Sequence, residues 1–84
     1  MTLEEQCNSC RSRGDFVAFV EALQRDFHDN PSAWQNADLP HYFAALAAWV
    51  GDMDGYYQNI NKPVPSQPDW NLAANMLLAA KMYE

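Results

Sequence analysis

Two aspartates one residue apart, Asp52 and Asp54, stand beside Gly55 between Trp49 and the pair Tyr56 and Tyr57. They belong to the run A-A-W-V-G-D-M-D-G-Y-Y-Q-N, Ala47 to Asn59. Carboxylates at this spacing could hold a divalent cation or share acid–base work. A calcium-binding EF-hand loop has the form D-x-[DN]-x-[DN]-G-x(5)-E, with glycine sixth. Setting Gly55 sixth puts Asp52 and Asp54 at three and five, but Val50 at one and Asn61 at twelve. The two strongest carboxylate positions are missing, so the stretch is not an EF-hand. If a helix continues through the pair, residues two apart point about 200° away from each other. The acids then serve different surfaces, and only unwinding at Gly55 would bring them together.

A structural role must also be weighed. Negative charge near a helix C-terminus opposes the macrodipole by up to about 1 kcal/mol. Two such residues imply local compensation: a bond from a Trp indole or Tyr hydroxyl, a cap on another helix, or a pair with Arg or Lys81. Gly55 is then expected to permit either close helix contact or the turn out of the helix.

Cys7 and Cys10 form a lone C-x-x-C. A redox pair would want a thioredoxin-like βαβ context, and zinc would need two further ligands. His28 and His41 lie too far apart to supply the usual histidine half of such a site. The thiols read as an idle pair near a frayed terminus, and both histidines as exposed helix-end residues. The chain has no glycine-rich phosphate loop, no H-E-x-x-H and no G-x-S-x-G.

Three helices must position these residues, and no segment reads as a strand. The first runs over about 12–29: Ser12 and Asp15 suit an N-terminus, and Phe16, Phe19, Val20, Leu23 and Phe27 make one apolar stripe. Asn30-Pro31 ends it. The second runs over about 38–57, with Asp38 as N-cap and Pro40 in its first turn. Leu39, Phe43, Leu46, Val50, Met53 and Tyr57 form its stripe, widened by Ala45, Ala48, Trp49 and Tyr56. So much apolar surface predicts a central helix packed on two sides. The third runs over about 69–83, capped by Asp69 or Ser66, after a loop with three prolines between Pro63 and Pro68. The fold class is therefore all-α: a compact array of three main helices, a single domain over 12–84. Residues 1–11 carry few apolar anchors and are expected to be weakly ordered.

Composition narrows the function. Eighty-four residues allow one domain, and 49% hydrophobic content suits a small dense core. A net charge of −6 disfavours phosphate backbones and is compatible with a basic protein partner. The N-terminus shows no signal peptide and no stretch approaches bilayer length, so the cytoplasm is the expected compartment and no membrane contact is expected.

The elements W-Q-N (Trp34 to Asn36), A-A-W-V-G-D-M-D-G-Y-Y-Q-N, P-x-x-P-D-W (Pro65 to Trp70) and A-A-K-M-Y-E (Ala79 to Glu84) resemble a family of small, mainly bacterial proteins. That family is catalogued only as a domain of unknown function, and the resemblance spans roughly Arg13 to Glu84. It implies a self-contained domain and carries no catalytic or cofactor residues.

The resulting expectation is a non-catalytic protein-interaction module of an immunity-like or inhibitory kind, with no cofactor, a basic protein as partner, and a monomeric or weakly dimeric state. Trp34, Trp49, Asp52, Asp54, Gly55, Tyr56 and Tyr57 are its candidate partner-contact or structural polar cluster. One alternative is a small metal-dependent enzyme using Asp52 and Asp54 with Tyr56 or Tyr57. Another is a self-associating unit joined through exposed Trp34 or Tyr42.

Overall fold

The computed structural model describes residues 1–83. Its elements are α1 (Leu3–Asn8), α2 (Arg13–Asp29), a 3₁₀ turn (Pro31–Ala33), α3 (Leu39–Asn59) and α4 (Trp70–Met82), with no strand among the described residues. No helix of these is long and apolar enough to cross a membrane.

The three long helices start where short polar side chains satisfy their first free N–H groups. Ser12, Asp38 and Asp69 accept hydrogen bonds from the backbone N–H of Asp15, His41 and Leu72. Asp69, not Ser66, therefore caps the last helix. α2 stops at Asn30, as the following proline requires.

α3 leaves its axis by a different route from the one anticipated at Gly55. The helix runs on to Asn59, and Asn61 takes the left-handed turn at φ 57°. The N–H of Lys62 reaches the Tyr57 carbonyl and that of Asn61 reaches the Gln58 carbonyl, a Schellman arrangement.

The terminal stretch 1–11, expected to be weakly ordered, instead forms α1 and enters the core. Thr2 and Glu5 close a reciprocal capping box, and Cys7 and Cys10 are 1% and 0% exposed. Asn71 Nδ2 donates to the Cys7 carbonyl at 2.9 Å, tying α1 to α4. The two cysteines act as small apolar side chains packed with Phe19, Leu23 and Ala74. Burial pushes the Cys7 thiol up to about 11 and raises Cys10 as well, so neither is primed for thiolate chemistry.

The expectation that α3 is central is also overturned. α4 touches α1, α2 and α3, whereas α3 touches only α4. Every residue of α4 from Asn71 to Lys81 is buried or half-buried, and its alanines let neighbours approach closely. One core cluster gathers Cys7, Cys10, Phe19, Leu23 and Ala74; a second gathers Trp49, Tyr57 and Leu72. With a single neighbour, α3 buries Ala45, Trp49 and Tyr57 and leaves Leu39 and Phe43 67% and 58% exposed. The stripe on α2 is likewise narrower than expected: Phe19 and Leu23 are buried, while Val20 and Phe27 remain partly open to solvent.

Candidate functional site

The clearest built feature lies where the segment after α2 crosses the C-terminal end of α4. Asp26 organises it from the last turns of α2. Its Oδ2 accepts from the Trp34 indole at 2.8 Å and from Lys81 Nζ at 3.0 Å. The same Nζ sits 5.5 Å from the Trp34 ring centroid, a cation–π contact. The hydrogen bonds from Lys81 and Trp34 hold the Asp26 carboxyl below the usual carboxylate range.

Two residues after Trp34, Asn36 closes the free end of α4. Its backbone N–H donates to the Lys81 carbonyl at 3.1 Å, and its Nδ2 to the carbonyls of Ala80 and Tyr83 at 3.0 and 2.8 Å. Carbonyls that a helix end leaves open are thus satisfied by a side chain far away in sequence. Tyr42, from the first turn of α3, donates its hydroxyl to the Leu77 carbonyl at 2.8 Å. Burial raises this phenol above its ordinary range.

These anchors hold three rings around an open cleft of about 270 Å³, lined by Phe27, Trp34, Leu39 and Tyr42, with Asp38 at its edge. Phe27 meets Trp34 edge-on with centroids 5.2 Å apart, and Trp34 lies 6.0 Å from Tyr42. At the edge, Asp38 accepts from the His41 backbone N–H and pairs with its Nδ1, and the backbone bond above all lowers the Asp38 carboxyl. The lining offers apolar rings, an exposed leucine and one acid. Such a surface can take up an apolar side chain presented from a positively charged surround.

The candidate residues scatter. Trp34 lies in the cleft. Trp49 and Tyr57 are core residues, 6% and 5% exposed, and Tyr56 packs against both rings at the surface. The Tyr57 hydroxyl is buried with no hydrogen-bond partner among the described residues. Asp52 accepts from the Tyr83 hydroxyl at 2.5 Å, one of the compensations foreseen, and this bond raises the Tyr83 phenol.

Asp54 is exposed and makes no side-chain hydrogen bond among the described residues, so it has none of the compensations expected of it. Gly55 fills neither expected role: it lies within α3, and a Cβ placed there would meet nothing within 4 Å. The Lys81 ammonium and the Trp34 indole both go to Asp26, a residue that sequence reasoning passed over. Asp26 carries no local signal, because its partners lie eight and fifty-five residues away. Asn36 was legible only as part of the W-Q-N element. Among the described residues no three His, Cys, Asp or Glu side chains cluster as metal ligands would.

Fold and cleft together define a small all-α domain with a surface cleft of aromatic residues. The chain belongs to the family of unknown function DUF7660, whose model matches residues 12–84. α1 and both cysteines precede the matched span. No curated protein and no solved structure matches the chain.

Proposed function

We propose that this protein is a non-catalytic interaction module that binds and masks a basic partner protein, in the manner of an inhibitor or immunity protein. The observation that carries this reading is the open aromatic cleft formed by Phe27, Trp34, Leu39 and Tyr42 on a chain of net charge −6. Aromatic side chains held by buried anchors lose little entropy on binding, and a negative surface speeds encounter with a positive one. The partner places an apolar side chain in the cleft and basic residues around it.

Leu39→Asp tests this without threatening the fold. Leu39 is 67% exposed, and an acidic residue suits the first turn of a helix. Affinity capture from the native lysate at about 50 mM salt should recover a basic protein with the wild type. Recovery should fall at least roughly tenfold with Leu39→Asp and with salt raised to about 0.5 M. Equal recovery by Leu39→Asp would remove the cleft as the site, and no partner at low salt would remove the reading altogether.

A further inference from the structure

Cys7 and Cys10 stand close enough for a disulfide, yet both are free thiols. The Cys10 N–H donates to the Cys7 carbonyl at 3.1 Å, closing a four-residue turn at the end of α1. Such a turn holds its outer Cα atoms less than about 7 Å apart, and a disulfide spans roughly 4.4–6.8 Å. Both side chains enter one cluster with Phe19, Leu23 and Ala74, so they leave the turn on the same side.

Cover, rather than spacing, keeps the pair idle. At 1% and 0% exposure neither sulfur can meet an oxidant while α1 is docked. α1 has six residues, too few to hold as a helix by itself. Two of its ties to α4 run through Cys7: Asn71 Nδ2 donates to the Cys7 carbonyl, and the Cys7 thiol donates to Asn75 Oδ1 at 3.4 Å. A short element held by few bonds opens locally well before the whole fold does. Lifting α1 uncovers both sulfurs together.

Their neighbours divide the roles. Burial raises the Cys10 thiol while α1 is docked, with Asp15 and Asp69 adding to it and Arg11 opposing. Arg11 follows Cys10 directly and donates Nη1 to its carbonyl at 2.9 Å. Burial likewise raises Cys7, to about 11, helped by Cys10 and by Glu4 one turn earlier. Lifting α1 removes the burial but leaves Arg11 beside Cys10 and Glu4 beside Cys7. Cys10 is then the better nucleophile.

We propose that Cys7 and Cys10 are a gated dithiol, a modification site that oxidised glutathione converts to an internal disulfide only while α1 is lifted. The Cys10 thiolate attacks one sulfur of the glutathione disulfide, forming a mixed disulfide and releasing one glutathione thiolate. Cys7 loses its proton to water, attacks the Cys10 sulfur and releases the second glutathione. Two protein thiols are thereby oxidised, and one glutathione disulfide is reduced to two thiols. The site does not depend on the aromatic cleft or on the function proposed above.

The reduced full chain is incubated with about 5 mM oxidised glutathione, and its products are read by intact mass. The product should have lost two hydrogens and carry no glutathione. It should form at least roughly tenfold more slowly in the folded chain than in about 6 M urea. Cys7→Ala, which lacks the resolving thiol, should instead accumulate one glutathione, on Cys10. Thr2→Ala removes the exposed cap of α1 and should speed closure in the wild-type dithiol at least roughly threefold. Asp38→Ala removes the cap of α3 and should change the rate by less than about twofold, because the opening is local to α1. No closure at all, two glutathiones on the wild type, closure as fast folded as in urea, or equal acceleration by Thr2→Ala and Asp38→Ala would each overturn the proposal.

Discussion

Among single residues, carboxylates with equal formal charge do different work here. Asp26, Asp52 and Asp54 all sit late in long helices, yet Asp26 binds an indole and an ammonium, Asp52 a phenol, and Asp54 none of these. The Asp26 carboxyl is depressed in the folded state, so it contributes stability above its unfolded value, near 3.9 for an aspartate. That contribution is lost as pH falls through the lower folded value. We predict that Asp26→Asn destabilises the protein by about 1–2 kcal/mol at pH 6, as charge-assisted bonds to Trp34 and Lys81 are weakened. Denaturant titrations should show the gap between wild type and variant closing as pH falls below the unfolded value and through the lower folded one, where the wild-type carboxyl is itself protonated. A gap independent of pH would mean that Asp26 acts by shape alone. Sequence spacing singled out Asp52 and Asp54 because they stand two positions apart, but the network grew where a carboxylate met donors from two other segments.

Whole elements were more legible than their packing. Ser12, Asp38 and Asp69 mark the helix starts correctly, because capping is settled within four residues of chain. The choice of central helix went the other way. α3 is the longer and carries the more conspicuous aromatics, yet α4 takes the centre, with only Lys81 charged and alanine at its tightest contacts. Apolar surface on two sides of α3 therefore leaves one side bare, and its glycines stand open to solvent. Gly55→Ala should consequently stabilise the protein by about 0.5–1 kcal/mol, read from chemical denaturation. A loss of stability would show that something within the chain approaches Gly55 closely after all.

At the scale of the molecule, α1 is a short helix that seals a core, and its two cysteines matter as volume. Removing residues 1–11 uncovers Phe19 and Ala74, both 0% exposed in the full chain, and takes Cys7 and Cys10 out of their cluster. We predict a loss of roughly 3 kcal/mol and a fall of at least about 10 °C in melting temperature, measurable by circular dichroism. An unchanged melting temperature would show that the segment matched by the family is stable without this cover. The sequence alone determined the all-α class, three long helices, their caps and the acidic surface, since these follow from local periodicity, capping chemistry and composition. Only the tertiary structure decided that α4 is central, that Cys7 and Cys10 are core, and that Asp26 and Asn36 are the anchors of Trp34 and of the α4 terminus. It also turned the run Ala47 to Asn59 from one candidate site into separate parts: a core face around Trp49 and Tyr57, a tether at Asp52, and a bare ridge through Gly51. The physical reason is that burial and hydrogen-bond partners depend on which distant segments meet. One helix period carries the information for a stripe, but not for the neighbour that covers it.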